Sequence, residues 1–390
     1  MEGYIVYLFY LALLLILGVI ITGISSNLKL SNILFLVLAG YILKISGISF
    51  FSEETILILS ALALILIVLE TTMKLDLKHI KKNFMYLIKF NIIYFIISSY
   101  VITLAIFMFF DLPGKQFEQF ILCFLLSIII YGVDSSIAME FFKDKKKKIH
   151  ELLEIEGFIS GPIVVIFAFF VIKFATSSID KMTSAWFEPI TLIGQQIIVA
   201  IIIGIFTAYI LYFFNKNFPI PKEIWALSII TTGILSFVIG ELIHANGSLA
   251  VAVYGLLLKG LTKKKLPKEY TAILAHILFI IVFLLFGMHI SLPSINLWIK
   301  GIILFTIYLL IRFSCVAAFL RDLEWREKIF MSLNVAKGIE VALVLFIMQN
   351  KFRDIVGIQE IISIGFMFFI LSYIISTATN FFSDKILCIK

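Results

Sequence analysis

Cysteine is scarce in this sequence, which has only three cysteines among its 390 residues. Cys123, Cys315 and Cys388 are widely separated and odd in number, so they match neither a disulfide framework nor the spacing of a metal site. Metal-ligand clusters and nucleophile triads are also missing from the sequence. We therefore expect no cofactor, no metal other than a transported ion, and no enzyme activity.

Two further absences narrow the class of protein. The short segments of alternating hydrophobicity that are typical of transmembrane β-barrels do not occur. No polar stretch is long enough for a soluble domain, so we expect one integral membrane unit over 1–390. The net charge of +7 comes with lysines in short loops, which indicates membrane topology rather than nucleic-acid binding.

Apolar residues dominate the composition of the chain. They make up 62% of the chain, whereas a soluble domain is about half apolar. Apolar runs of about 20 residues recur from end to end, which is typical of transmembrane helices. The sequence thus predicts an all-α polytopic membrane protein with about thirteen spans. The predicted spans are 4–24, 30–46, 55–73, 84–110, 117–142, 149–174, 189–214, 223–243, 247–261, 270–290, 296–320, 327–349 and 357–382.

Lysine positions indicate the topology. Lysines gather in alternate loops, as in the run Lys145 to Lys148, while the opposite loops carry acids such as Asp111. Because positive loops stay in the cytoplasm, we expect the N-terminus outside and the C-terminus in the cytoplasm. The odd number of spans suits two inverted repeats of about six helices around a linker helix at 189–214.

Several charged residues fall deep inside predicted spans. They are Asp134, Glu156, Arg312, Lys337 and Glu340. A charge at the bilayer centre costs about 2.5–3.5 kcal/mol, so such residues face a cavity or one another. At the helical rise they lie roughly 10–15 Å or more from the cytoplasmic side. Similar depth on four helices predicts one shared site.

Two of these spans have sequences typical of broken helices. Tyr131-Gly132-Val133-Asp134-Ser135-Ser136 interrupts one span, and Ala336-Lys337-Gly338-Ile339-Glu340 interrupts the other. Glycine permits a non-helical step, and Asp or Ser caps the helix that follows. Breaks at membrane depth, in equivalent places of two halves, are typical of a midplane ion site.

Structural explanations stand beside the functional ones. Asp134 is also suited to be a helix cap, and Glu156 with Arg312 to be a buried ion pair. Lys337 is suited to neutralise the carbonyl end of a half-helix. Glu340 is spaced to pair with Lys337 at i, i+3. An intramembrane aspartyl protease is disfavoured because only Asp134 is a deeply buried aspartate.

At these residues the chain resembles the monovalent cation:proton antiporters of the NhaP and NapA type. Val133-Asp134-Ser135 stands where that family has Thr-Asp-Pro, and Glu156 matches a glutamate of its sixth helix. Arg312 and the Lys337-Gly338 pair match basic positions of its later helices. The resemblance covers nearly the whole chain in length, order and topology.

The chain departs from this family at Ser160 and Gly161, which stand where the family has a site residue and its ion-binding aspartate. The exchanging carboxylate is therefore expected to be Asp134, with Ser135 and Ser160 as neutral oxygen ligands. Glu156, Arg312, Lys337 and Glu340 are expected to form ion pairs or to compensate charge. The same departure supports an alternative in which the fold is kept without antiport, for another solute or as a sensor or partner subunit.

The resemblance also implies an organisation. A transport core is expected at 84–174 and 296–382, and a dimerisation scaffold at 4–73 and 189–290. The expected function is exchange of a monovalent cation, taken to be Na⁺, for H⁺ across the cytoplasmic membrane. The expected partners are the cation, the proton, membrane lipid and a second copy of the chain.

Overall fold

The computed structural model is mostly helical in the residues that it describes. Those residues are 2–28, 31–47, 53–74, 77–110, 116–134, 147–177, 187–218, 220–243, 245–262, 268–290, 294–351 and 355–387. Every regular element within them is an α-helix, which confirms the all-α prediction. Long apolar runs favour this outcome because a helix satisfies its backbone polar groups within one segment.

The described helices are numbered in chain order. They are α1 Glu2–Leu28, α2 Asn32–Ile45, α3 Glu53–Lys74, α4 Leu77–Phe109, α5 Gln116–Tyr131, α6 Lys147–Ser177, α7 Phe187–Asn217, α8 Lys222–Leu242, α9 Gly247–Leu261, α10 Lys268–His289, α11 Ile295–Phe319, α12 Trp325–Leu333, α13 Ile339–Lys351, α14 Ile358–Phe381 and the single turn α15 Ser383–Ile386.

Each predicted span overlaps a helix, and the two spans with broken-helix sequences differ from the rest. The span at 117–142 begins as α5, which ends at Tyr131, and the span at 327–349 is divided into α12 and α13. Among the described residues, five helices are long and apolar enough to cross a membrane, and shorter apolar helices accompany them. The number of crossings stays a prediction.

The chain divides into two compact units. The first comprises Met1–Phe51, Lys78–Thr176 and Phe283–Lys390, and the second comprises Ser52–Leu77 and Ser177–Val282. Both predicted core segments, 84–174 and 296–382, fall within the first unit. Their role as a transport core stays a prediction.

The second unit is built around α9. This helix packs against α3, α7 and α8, and its Tyr254 hydroxyl donates to the carbonyl of Ile229 at 3.0 Å. A Cβ at Gly204 would lie 2.7 Å from the Cβ of Val253. Glycine therefore permits the close approach of α7 to α9.

The first unit is built around α14. Of the most apolar window of this helix, 67% is buried, against 33–39% for the other four long apolar helices. It packs against α5, α11, α12 and α13. These helices carry or flank the two breaks and include Arg312 and Glu340, so α14 packs against the part of the unit that holds the breaks.

Candidate functional site

The two breaks meet in the first unit. Helix α5 ends at Tyr131 and is followed by non-helical residues 132–134, while residues 334–338 separate α12 from α13. The backbone N–H of Asp134 donates to the carbonyl of Ala336 at 2.7 Å, which joins one break to the other. Non-helical backbone at membrane depth requires such partners because lipid offers none.

Glycine allows this crossing to be tight. A Cβ on Gly132 would lie 2.8 Å from Cγ2 of Val164 on α6 and 2.9 Å from Cγ2 of Val341 on α13. Real Cβ atoms essentially never come that close to another heavy atom. The break after α5 therefore sits directly between α6 and α13.

Lys337 donates hydrogen bonds to the carbonyls at the C-terminal end of α5. Its ammonium is almost fully buried, and it donates to the carbonyls of Ile130 and Gly132, the latter at 2.8 Å. It also donates to the hydroxyl of Tyr308 at 2.9 Å. The last carbonyls of a helix lack intrahelical donors and carry partial negative charge. The three N–H groups of the ammonium thus meet three acceptors.

Glu156 and Arg312 form a buried ion pair. The guanidinium donates twice to the carboxylate, at 2.7 and 3.0 Å, and both side chains are at most 1% exposed. Arg312 also donates to the carbonyls of Met331 and Asn334 at 3.2 and 3.4 Å, where α12 ends. This pair therefore ties α6 and α11 to the second break.

Ser160 is engaged with the backbone of the first break. Its hydroxyl donates to the carbonyl of Val133 at 2.8 Å and accepts from the N–H of the same residue at 3.3 Å. This places the hydroxyl beside Asp134 and satisfies two backbone groups that the break leaves without helical partners. Ser135, the other predicted neutral ligand, lies outside the described residues.

The structure brings Glu340 to Asp134 rather than to Lys337. Residues 334–338 are not helical, so the i, i+3 geometry of a helix does not apply between Lys337 and Glu340. Within the described part of the chain, no ion pair joins these two residues. Glu340 instead lies near Asp134, since a Cβ built on Gly338 would clash with Oε2 of Glu340 and would lie 3.3 Å from the Cβ of Asp134. Both carboxylates belong to partly buried residues, unlike the buried Glu156.

Sequence reasoning missed the polar residues of α14. The Tyr373 hydroxyl donates to the carbonyl of Lys337 at 2.7 Å, and the N–H of Val335 donates to the Ser376 hydroxyl at 2.9 Å. Asn380 donates to the side-chain oxygen of Asn334 at 2.8 Å. The signal is present in the sequence, since residues 373, 376 and 380 fall on one helical face of a predominantly apolar segment.

Comparison with known proteins gives one family and one fold. The model of the family described as "Sodium/hydrogen exchanger, transmembrane" matches residues 11–382. The sodium proton antiporter MjNhaP1 from Methanocaldococcus jannaschii at pH 8 is similar in structure, with a TM-score of 0.78 and 19% identity over 97% of this chain and 100% of that chain. An electron-microscopy map of the same antiporter gives a TM-score of 0.77 and 21% identity, covering 100% and 98%. No curated protein matches the chain.

Proposed function

This chain belongs to the sodium/hydrogen exchanger family, and from that premise we propose that it exchanges Na⁺ for H⁺ across the cytoplasmic membrane, with Asp134 as the exchanging carboxylate. Family and fold support cation/proton antiport in general, by a multi-pass membrane protein of a transporter family. The identity of the cation and the role of Asp134 are the finer parts of the proposal.

The position of Asp134 carries the proposal. It stands where the two breaks cross, its backbone is bonded to Ala336, and it belongs to the partly buried residues. The buried charges around it are engaged with protein groups, Arg312 with Glu156 and Lys337 with the carbonyls that end α5. Those three side chains therefore suit a structural role, whereas the carboxylate that stands at the crossing of the two breaks belongs to Asp134.

Competition for one carboxylate explains how exchange would work. A protonated carboxyl group cannot offer the same oxygen to a cation, so binding of H⁺ and of Na⁺ is mutually exclusive. Na⁺ is a hard cation that prefers oxygen ligands, by the logic that holds for Ca²⁺ and Mg²⁺. Carbonyls at the crossing and the hydroxyl of Ser160 are oxygens of that kind.

The decisive experiment is cation-driven proton flux in proteoliposomes, read with a pH-sensitive dye. Wild type should respond to Na⁺, and Asp134→Asn should show no response because an amide neither releases a proton nor carries charge. Asp322→Asn is the matched control, since it makes the same change at an exposed residue, and it should behave as wild type. Full activity of Asp134→Asn would overturn the assignment.

Li⁺ and K⁺ in the same assay test the choice of cation. We expect Na⁺ to give a lower apparent KM than K⁺. Acidification should raise the apparent KM for Na⁺, since the proton occupies the same oxygens. A KM for Na⁺ that is unchanged between acid and neutral pH would contradict competition at one carboxylate.

The alternative function keeps the fold and drops antiport. It is favoured by Gly161, which stands where the resemblance implies an ion-binding aspartate. In this case the protein would move another solute or act as a sensor or partner subunit. Wild type that gives no proton flux with Na⁺, Li⁺ or K⁺ would support it.

We also propose that two copies assemble in the cytoplasmic membrane. Support for the dimer comes from the family resemblance, and support for an outside N-terminus comes from the loop lysines. Mass measurement of the purified protein in detergent should give twice the chain mass after subtraction of the micelle. A single chain mass would contradict the dimer.

A further inference from the structure

The second break is hydrogen-bonded to α14 at alternate residues. The hydroxyl of Ser376 accepts from the N–H of Val335 at 2.9 Å and donates to the carbonyl of Leu333 at 3.3 Å. The hydroxyl of Tyr373 donates to the carbonyl of Lys337 at 2.7 Å. Residues 333, 335 and 337 thus present backbone groups to α14, as alternate residues of a strand present theirs to one neighbour.

The residues between them present their carbonyls to other partners. The carbonyl of Asn334 accepts from Arg312 at 3.4 Å. The carbonyl of Ala336 accepts from the backbone N–H of Asp134 at 2.7 Å. One set of backbone groups is therefore held by α14, and the other set meets Arg312 and the first break. The position of the Ala336 carbonyl, and with it that of the Asp134 backbone, depends on where α14 holds the residues on either side.

The bonds from α14 are formed away from water. Tyr373 and Ser376 are both 0% exposed. Val335 and Lys337, which they bond, are at most 1% exposed. The ring of Tyr373 also packs on that of Phe369, with 4.7 Å between the ring centroids. A buried polar group that loses its hydrogen-bond partner keeps its full desolvation penalty, so the break would have to move to satisfy the group again.

Lys337 links the two breaks through a single residue. Its carbonyl is bonded by Tyr373, while its ammonium donates to the carbonyls of Ile130 and Gly132 at the end of α5. Gly132 lies two residues before Asp134. A displacement of the Lys337 backbone would therefore disturb the first break through the side chain of Lys337 as well as through the carbonyl of the preceding residue.

From this geometry we propose that Tyr373 and Ser376 are positioning residues of the transport site, which hold the second break so that the carbonyl of Ala336 keeps Asp134 in place for the cation. The inference rests on the proposed antiport, because it assigns the residues that orient the same site. In this role neither side chain contacts the cation, and each acts through the backbone of the break. Groups that orient the ligands of a metal ion contribute about 10- to 100-fold to affinity or activity.

Tyr373→Phe tests the first of these bonds, because it removes one hydroxyl and keeps the ring. In the proteoliposome assay the apparent KM for Na⁺ should rise about tenfold, with a smaller change in the maximal rate. Tyr254→Phe is the matched control, since the Tyr254 hydroxyl is buried and donates to the carbonyl of Ile229 in the second unit. Both variants should lose thermal stability, but only Tyr373→Phe should change KM. A wild-type KM in Tyr373→Phe would overturn the role of this residue.

Ser376→Ala tests the other two bonds, and the same helix offers its control. Ser372 lies one turn earlier and is also fully buried, but its hydroxyl donates to the carbonyl of Phe369 within α14, at 2.7 Å. Ser376→Ala should raise the apparent KM for Na⁺ about tenfold, whereas Ser372→Ala should keep the wild-type value. Equal KM values in the two serine variants would contradict the role of Ser376. If one of the two test variants does not fold, the other still decides.

Amide hydrogen–deuterium exchange in detergent, followed by mass spectrometry, separates this inference from the proposed function. The N–H of Asp134 is bonded to the carbonyl of Ala336, so the peptide that contains it should take up deuterium faster in Tyr373→Phe and Ser376→Ala than in wild type and in the two controls. If wild type transports Na⁺ and both variants keep its KM, the inference fails and antiport stands. If wild type gives no proton flux with any cation, antiport fails. Faster deuterium uptake at Asp134 would then still support positioning by α14, and unchanged uptake would overturn it.

Discussion

Buried charged side chains of this molecule are compensated by specific neighbouring groups. Glu156 and Arg312 are both almost fully buried, and the guanidinium donates two charged hydrogen bonds to the carboxylate. An isolated charge in such a place would carry a desolvation cost of several kcal/mol. The pair exchanges hydration for a bidentate contact, which also fixes the direction of the guanidinium toward the end of α12.

This arrangement predicts that breaking the pair destabilises more than replacing it. Arg312→Met should lower the free energy of unfolding by about 3–5 kcal/mol, because it leaves the carboxylate of Glu156 buried without a partner. The double variant with Glu156→Gln should lose less, since no unpaired charge remains. Thermal unfolding in detergent measures both, and equal losses would contradict the explanation.

Lys337 is a second buried charge with specific hydrogen-bond partners, which are carbonyls and not a carboxylate. Its ammonium stands at the end of α5, where the carbonyls of Ile130 and Gly132 have no helical donors. We expect Lys337→Met to destabilise the protein, since the substitution keeps most of the length of the side chain and removes every donor. Lys337→Arg should be milder, as a guanidinium still donates there. Unfolding curves of the two variants that coincide would argue against the donor role.

At the scale of elements, each helix break is completed by a different helix. The first break is bonded by Ser160 of α6, and the second by Ser376 and Tyr373 of α14. The two breaks are joined to each other through the backbone of Asp134 and Ala336. A break in one element therefore depends on side chains that lie elsewhere in the sequence.

Gly132 is the residue at which the first break packs closely against both α6 and α13. Gly132→Ala should destabilise by about 1–3 kcal/mol, the usual effect of overpacking, because its Cβ would press on Val164 and Val341. Gly23→Ala is the control, since nothing lies within 4 Å of a Cβ there. Adding Val164→Ala to Gly132→Ala should return part of the loss, and no recovery would mean that the strain lies in the backbone instead.

At the scale of the whole molecule, charge in the loops should fix the orientation in the membrane. Alternate loops rich in lysine predict a cytoplasmic C-terminus and an external loop near Asp111. In a bacterial host, green fluorescent protein fused after Lys390 should fluoresce, and alkaline phosphatase fused after Asp111 should be active. The reverse pattern would show that the protein is inserted the other way round.

The helices, their breaks and the buried charges were open to prediction from the sequence. Apolar runs, the glycines within the two broken spans and the charges deep inside them are properties of single segments. Each of them has a local physical cause, such as the cost of exposing backbone or charge to lipid. The helices, the division of α12 from α13 and the burial of Glu156, Arg312 and Lys337 follow from them.

The pairing of the charged residues was not open to prediction in the same way. Spacing suggested Glu340 as a partner for Lys337, but residues 334–338 are not helical, no ion pair joins the two within the described residues, and Glu340 lies near Asp134 and Gly161. The support from Tyr373 was likewise invisible, because it requires α14 to pack against the break.

By itself, then, the sequence determined that the chain is a bundle of membrane helices with two interrupted spans and a set of deep charges. Only the tertiary structure decided that Lys337 ends α5, that Arg312 holds Glu156, and that Glu340 stands beside Gly161. The reason is that hydropathy and helix breaking act within one segment. Ion pairs and close approaches depend instead on the rotation and crossing of helices that are distant in the chain.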